Sequence, residues 1–197
     1  MRVFVLARHG ESALNIERRM NGDPRVPVAL TERGREEARR LGEQVAQLPL
    51  EACVHTRFPR TRETAEIALG DREDVPLVEE PLLDDIDIGD LEGEKLESYR
   101  AWKHGHSRDV PFPGGESLDD AARRYAEALR KLLDSPWGVI LLVCHEIPIR
   151  YALNGASGSD SLDRPAHEVS NAVPYLFDDD ALDRAVRGIE RLARIAR

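Results

Sequence analysis

Short apolar segments that resemble buried strands alternate along this chain with longer segments that have helical periodicity. The runs "VFVLA" (3–7) and "GVILLVCH" (138–145) are apolar almost throughout, as in strands covered on both faces. "EACVHT" (51–56) has a similar pattern, and "NAVPYLF" (171–177) is a weaker last strand. This alternation indicates an α/β layer structure with a mostly parallel sheet.

Amphipathic segments occupy the intervals between the strands. Thr31 is a suitable N-cap for the first of them, and Pro59 and Gly70 are suitable first and closing residues for the second. The last segment has acids in its first turn and arginines in its last turn, which complements a helix dipole. The predicted helices span residues 30–48, 59–69, 116–136 and 178–197.

Length and composition limit the class of protein. The 197 residues predict a single domain, 1–197, and 41% hydrophobic with 33% charged residues is typical of a globular chain. A net charge of -9 argues against nucleic acid or an anionic membrane as a partner. The chain has no apolar stretch of about 20 residues and no signal-peptide pattern, so we expect a cytoplasmic protein. Cys53 and Cys144 lie in apolar runs, which is typical of buried thiols, although the sequence is also compatible with one disulfide between them.

Charged and polar side chains stand where the predicted strands end. Arg8 and His9 end the first strand, His145 ends the most apolar one, and the segment "RTRETA" follows a third. Ligands of open α/β sheets bind outside the carboxyl ends of the strands, so these groups are expected to meet there. Histidines together with arginines are suited to binding and transferring a phosphoryl group.

The motifs in this chain resemble, in order, those of the histidine phosphatase superfamily, which includes the cofactor-dependent phosphoglycerate mutases. "RHGES" with the following Asn15, Arg19 and Gly22 resembles the superfamily's first signature, and "TRFPRTRETA" (56–65) is similar to its arginine segment. The further matching segments are "LTERGREEARRLG" (30–42), "LLDDIDIGDLEG" (82–93), "PGGES" (113–117) and "VCHEIPIR" (143–150). The resemblance implies a three-layer α/β/α sandwich of the phosphoglycerate mutase type.

The resemblance also implies a role for each matching position. His9 corresponds to the nucleophile that accepts the phosphoryl group, and Asp85 to the proton donor, which is a glutamate in most members. Asp84 and Asp87 are neighbouring carboxylates that compete with Asp85 for this role. The phosphoryl oxygens are then bound by Arg8, Arg60 and His145, with Asn15 and Asn21 helping from the loop after the first motif.

Elementary electrostatics supports these roles independently. Arginines beside His9 disfavour the imidazolium and keep the ring neutral, as attack on phosphorus requires. A carboxyl near a bound phosphate has a raised pKa and can protonate a leaving alcohol. This chemistry needs neither a metal nor another cofactor.

The least regular stretch, residues 85–115, is predicted to be a lid or insertion over the site. Within it, His104 and His106 are a poor metal-binding signal, because no third ligand accompanies them. We read His55 and His167 as structural. The expected partner is a small phosphorylated substrate, whereas the sequence predicts no oligomeric state.

Three functions fit the motifs. The first is a phosphatase that hydrolyses a phosphate monoester through a phosphohistidine on His9. The second is a cofactor-dependent phosphoglycerate mutase, although mutases of this family have a longer segment between the acid and the second histidine. The third is a non-catalytic module that binds a phosphorylated ligand, which the intact nucleophile disfavours.

Overall fold

A five-stranded sheet lies at the centre of the protein. The structure, a computed structural model, describes residues 2–163 and, except for the side chain of Arg194, residues 169–194; His167 lies outside these ranges. The strands have the order β3-β2-β4-β1-β5, and only β5 is antiparallel to its neighbour. Their bounds are β1 Val3–Arg8, β2 Ala52–His55, β3 Leu77–Glu79, β4 Val139–Cys144 and β5 Pro174–Asp178. The predicted mostly parallel α/β sheet is confirmed.

Seven α-helices and two short 3₁₀ helices connect and cover the strands in the part of the chain that the structure describes. The α-helices are α1 Ala13–Ile16, α2 Glu32–Gln44, α3 Pro59–Leu69, α4 Leu96–Gly105, α5 Leu118–Leu133, α6 Glu146–Ala156 and α7 Asp179–Arg194. The 3₁₀ helices are Pro81–Leu83 and Gly89–Leu91, on either side of the acidic turn that contains Asp85.

Alternating side chains of the strands form two separate apolar cores. Phe4, Leu6 and Leu142 face one side of the sheet, where α5, α6 and α7 pack. Val5 and Leu141 face the other side, where α2 and α3 pack. Because strand side chains alternate between faces, each strand contributes to both cores. The result is the three-layer α/β/α sandwich.

The local signals read from the sequence explain three helix ends in α2 and α3. Thr31 caps α2 by accepting a hydrogen bond from Gly34 N at 3.0 Å, and Pro59 is the first residue of α3. Gly70 ends α3 with φ of +57°, a conformation that favours glycine. The helix predicted for 30–48 is shorter, because the backbone of Val45 leaves helical geometry.

Three helices, α1, α4 and α6, and the three-residue strand β3 were not predicted, and α1 is a single turn of four residues. Helix α4 is short and largely exposed, so few apolar positions reveal its period. Helix α6 begins directly after His145 and contains Pro148, which reads as a helix breaker. A proline in the first turn is tolerated, since the N–H groups there have no partner within the helix.

Parallel register places the two strand-end histidines together. Arg8 of β1 is paired with Cys144 of β4, and His9 N donates to Cys144 O at 3.0 Å. His9 and His145 therefore follow a pair of aligned residues and lie side by side at the carboxyl edge of the sheet. Their ring centroids are 5.5 Å apart.

Both cysteines are free and buried, and burial raises the pKa of the Cys53 thiol to about 12. Within residues 2–163 and 169–194, every helix is too short or too polar to cross a bilayer.

Candidate active site

A cavity of about 470 Å³ opens at the carboxyl edge of the sheet, beside the ends of β1 and β4. The predicted site residues that line it are Arg8, His9, Asn15, Asn21, Arg60 and Asp85. His145 lies just behind this lining, fully buried and in contact with Arg60. The fold thus brings together residues from five separate parts of the sequence.

The contacts of His9 fix which ring nitrogen carries the proton and which carries the lone pair. Its Nδ1 lies 2.7 Å from the carbonyl oxygen of Gly10 and therefore carries the proton, whereas Nε2 accepts a hydrogen bond from Nε of Arg60 at 3.0 Å. Burial lowers the pKa of His9 well below 6.5, and the charges of Arg60 and Arg8 lower it further. A neutral imidazole with its lone pair on Nε2 is the form that attacks phosphorus.

The turn after His9 requires glycine. A Cβ on Gly10 would overlap the backbone carbonyl of Gly34, in the first turns of α2. Gly10 N also donates to the hydroxyl of Thr64 at 3.0 Å, and Asn171 donates to the carbonyl of His9 at 2.7 Å. These contacts fix the backbone on both sides of the imidazole. Thr64 lies within a motif that the sequence revealed, but no sequence signal pointed to Asn171.

Arg60, the second residue of α3, connects the groups around the cavity. Its guanidinium donates to Nε2 of His9, to Nδ1 of His145 at 3.1 Å, and to the carbonyl oxygen of Asn21 at 3.1 Å. It also donates to the side-chain oxygen of Asn21 and lies 3.4 Å from Asp85 Oδ2. Burial lowers the pKa of Arg60 to about 10, so it stays a cation at neutral pH.

The hydrogen-bond partners of His145 determine its tautomer. A guanidinium only donates, so Nδ1 of His145, bonded to Arg60, carries no proton. The Thr61 hydroxyl donates to Phe58 O at 2.8 Å, and the Thr56 hydroxyl, 2.9 Å from that of Thr61, therefore donates to Thr61. The Thr56 hydroxyl oxygen can therefore only accept a hydrogen bond from Nε2–H of His145, which lies 2.9 Å away. Neutral His145 thus turns a lone pair, not a proton, toward Arg60. The sequence reasoning missed Thr56, although it opens the quoted arginine segment.

Geometry separates the three competing carboxylates. Asp85 lines the cavity, with Oδ2 3.5 Å from His145 Nδ1, and its side chain is 21% exposed. Asp84 instead points away and binds Arg57, at 2.6 Å. Asp87 is exposed and accepts a hydrogen bond from Gly89 N. Only Asp85 of the three lines this cavity.

Burial raises the pKa of Asp85, although the positive charge of Arg60 acts in the opposite direction. The turn that holds it is fixed by Arg124 of α5, which donates to the carbonyl oxygens of Leu82, Asp84 and Asp85 at 2.8 to 3.0 Å. Arg124 also pairs with Glu116. Sequence reasoning missed Arg124, because an arginine in an amphipathic helix looks like a surface residue.

Arg8, Asn15 and Asn21 are each held by contacts with other parts of the protein. Arg8 donates to Val169 O at 3.0 Å and pairs with Glu146 at 3.1 Å. Asn15 accepts a hydrogen bond from Ser12 N, which caps α1. Asn21 binds Arg60 with its oxygen and donates its amide to Glu92 at 2.8 Å. The geometry thus ties Asn21 to the orientation of Arg60.

The side of the cavity farther from the sheet, which we term the outer wall, is formed by α4 and α6. Leu96, Tyr99, Arg100 and Lys103 of α4 line it, opposite the first turns of α6. Basic side chains that line the cavity besides Arg8 and Arg60 are Arg18, Arg19, Arg100, Lys103 and Arg150. A chain with a net charge of -9 therefore concentrates positive charge at this one place.

The two histidines of the 85–115 segment do not line the cavity. His106 stacks on Trp102, with ring centroids 4.2 Å apart, and His104 is exposed. Among residues 2–163 and 169–194, no group of three or more His, Cys, Asp or Glu side chains is arranged to bind a metal ion.

The sheet order, the helical layers and the cavity at the strand ends define an α/β protein of the phosphoglycerate mutase-like fold. More closely, the chain belongs to the histidine phosphatase superfamily (branch 1), whose family model matches residues 4–189. Members of this superfamily are phosphatases or mutases, so the chain is assigned to an enzyme family.

Individual relatives carry both kinds of name. The chain is 36% identical over 135 residues to the 2,3-bisphosphoglycerate-dependent phosphoglycerate mutase 2 of Gloeobacter violaceus, a match that covers 63% of this chain and 60% of the mutase. The chain thus matches less than two thirds of that relative's length. YhfR of Bacillus stearothermophilus has a similar structure, with a TM-score of 0.79, 29% identity, and coverage of 89% and 90% of the two chains. The alpha-ribazole phosphatase of Shigella flexneri shares the fold, with a TM-score of 0.78 and 23% identity over 89% of this chain and 90% of that one.

Proposed function

We propose that this protein is a metal-independent phosphatase that hydrolyses a small phosphate monoester through a phosphohistidine on His9. The observation that carries the proposal is the state of His9, which is neutral, fixed by Gly10, and turned with Nε2 toward Arg60. Arg8 and Arg60 supply the positive charge that a metal provides in other phosphatases.

The proposed reaction has two steps. The lone pair of His9 Nε2 forms a bond to phosphorus, the bond from phosphorus to the ester oxygen breaks, and Asp85 gives its proton to that oxygen. Water then attacks the phosphohistidine and loses a proton to Asp85, which restores both groups and releases inorganic phosphate. The raised pKa of Asp85 supports its role as the acid of the first step.

The other predicted residues have supporting roles in this proposal. Arg8, Arg60 and the amide of Asn15 bind phosphoryl oxygens, and His145 supports this binding by accepting a hydrogen bond from Arg60. Asn21 acts through Arg60, which it orients. The segment 85–115 covers the cavity, because α4 forms part of the outer wall. The buried thiols support a reducing, cytoplasmic location.

A phosphoglycerate mutase is the second candidate, because the Gloeobacter violaceus relative carries that name. A mutase must keep water away from the phosphohistidine and return the phosphoryl group to a phosphoglycerate. The family resemblance implies a longer segment between the acid and the second histidine in mutases than the one between Asp85 and His145, so we favour hydrolysis.

Phosphate release from p-nitrophenyl phosphate and from a panel of metabolite phosphates, with and without chelator, tests the proposal. We expect turnover that survives chelation and is abolished in His9→Ala, whereas His104→Ala, which changes an exposed histidine, stays active. A folded wild-type protein without turnover on any ester would favour a binding module. Isomerisation of phosphoglycerate faster than its hydrolysis would identify a mutase.

A further inference from the structure

A carboxylate lies in the wall of a cavity that is otherwise built to attract an anion. Glu146, the first residue of α6, accepts a hydrogen bond from Arg150 and pairs with Arg8 Nη1 at 3.1 Å. All three side chains line the cavity and are 18 to 35% exposed. The acid therefore lies where the part of a substrate beyond the phosphoryl group has to pass.

Glu146 cancels charge that would otherwise be available to a ligand. Among the described residues, it is the only carboxylate paired with either Arg8 or Arg150, and Nε of each arginine is buried without a hydrogen-bond partner. Since Arg8 binds the phosphoryl group in the proposed reaction, the charge that Glu146 withholds from the rest of a substrate is mainly that of Arg150.

A cation of α4 is also neutralised by an acid, as Arg150 of α6 is neutralised by Glu146. Lys103 pairs with Asp163 at 2.9 Å, and Asp163 is held in turn by Arg108 and by the hydroxyl of Tyr151 at 3.1 Å. Lys103 is thus already bound by an acid that is itself fixed. Of the cations that α4 and α6 present to the cavity, Arg100 alone has no paired carboxylate among the described residues.

The uncharged residues that α4 and α6 contribute to the lining are Leu96, Tyr99 and Ile147, and Leu14 and Met20 add apolar surface from the segment after His9. Apart from Arg100, a neutral alcohol would meet apolar surface and compensated ion pairs at this wall. A leaving group with a carboxylate or a second phosphate would have to compete with Glu146 for Arg150, and the Glu146 carboxylate would oppose its approach.

We propose that Glu146 determines substrate specificity, and that the protein prefers phosphomonoesters of uncharged alcohols to esters whose leaving group carries a second anionic group. This inference rests on the proposed phosphatase activity. It goes further, because it assigns a substrate class and the residue that selects it.

Two esters that differ in a single group provide the test. Glycerol 3-phosphate and 3-phosphoglycerate have the same backbone, with an alcohol in the first where the second has a carboxylate. For the wild-type protein we expect kcat/KM, measured as inorganic phosphate released, to be about tenfold higher for glycerol 3-phosphate.

Two variants should move that ratio in opposite directions. Glu146→Gln keeps the size of the side chain and removes its charge, so the ratio should fall to about one, mainly through a lower KM for 3-phosphoglycerate. Arg150→Met removes one of the two cations paired with Glu146 and should therefore raise the ratio. Glu36→Gln, an exposed site on α2 with the same change in net charge, should leave the ratio as in the wild type.

The outcomes separate this inference from the proposed function. A wild-type ratio near one, or a Glu146→Gln variant that loses activity equally on both esters, would show that Glu146 only positions Arg8 and would overturn the inference while hydrolysis stands. If the wild-type protein releases phosphate from neither ester nor from p-nitrophenyl phosphate, the proposed function itself fails.

Discussion

The two sides of the cavity are built in different ways. The inner region is formed by Arg8, His9, Arg60, Asp85 and His145, which stand on strand ends, on the first turn of α3 and on the turn that holds Asp85, and Arg60 is bonded to His9, His145 and Asp85. The outer wall stands on α4 and α6, where most charged groups are paired with acids near the surface. The group around Arg60 is thus held by its own hydrogen bonds, and the pair between Glu146 and Arg8 is the contact that joins the outer wall to the inner region. Substitutions should therefore affect the rate at the inner region and selectivity at the outer wall.

Arg60→Lys should have the largest effect. A lysine cannot donate to His9, His145 and Asn21 at the same time, so we expect kcat/KM for p-nitrophenyl phosphate to fall by about a thousandfold. Arg57→Lys is the matched control, since Arg57 is 51% exposed and binds only Asp84 of the nearby acids. Equal small losses in both variants would contradict the contrast between the two regions.

Asp85→Asn should lower kcat/KM, which reports the first step, by about a hundredfold on alkyl esters and only slightly on aryl esters, because a nitrophenolate leaves without a proton. The pH profile checks the same assignment. Because the pKa of His9 is low, its imidazole stays neutral and activity should decline only well below pH 6.5. Activity on alkyl esters should also fall as the pH rises through the raised pKa of Asp85, because Asp85 then loses the proton that the leaving alcohol needs. Asp85→Asn should remove that alkaline limb. Equal losses on alkyl and aryl esters would reject Asp85 as the acid.

Thr56→Val tests the tautomer of His145. Valine has nearly the shape of threonine but leaves Nε2–H of a buried ring without an acceptor, so we expect about a tenfold loss of kcat and about 1–3 kcal/mol of stability. Thr56→Ser keeps the hydroxyl and should restore both. Nitrogen NMR of the His145 ring, which distinguishes the two tautomers, should show a proton on Nε2 in the wild-type protein. A proton on Nδ1 there would contradict the hydrogen-bond assignment.

Lys103→Met, at the outer wall, should have the smallest effect. Because Lys103 is already bound to Asp163, its loss should change KM for p-nitrophenyl phosphate by only about twofold and leave kcat unchanged. A loss of kcat as large as that of Thr56→Val would mean that the outer wall takes part in the chemical step.

Much of the fold could be predicted from local patterns. Apolar runs gave β1 and β4, and Thr31, Pro59 and Gly70 marked helix ends, because caps and buried strands depend on residues close in sequence. Helices α4 and α6 were missed, since one is short and exposed and the other has a proline in its first turn, and α1 and β3 are too short to show a period. The C-terminal end of α2 was misplaced, because the buried Val45 keeps the apolar period although its backbone has left the helix.

The sequence alone determined which chemical groups this protein has for its site and that strand ends would present them. It placed Arg8, His9 and His145 at the ends of two apolar runs, and Arg60 within a helix that follows a third. Only the tertiary structure shows that Asp85, and neither Asp84 nor Asp87, lines the cavity, since these near neighbours in sequence point to different surroundings. It also brought Thr56 to His145 and Glu146 to Arg8, pairs that lie 89 and 138 residues apart. Periodicity describes single segments, and contacts at such separations exist only once the parallel strands have paired.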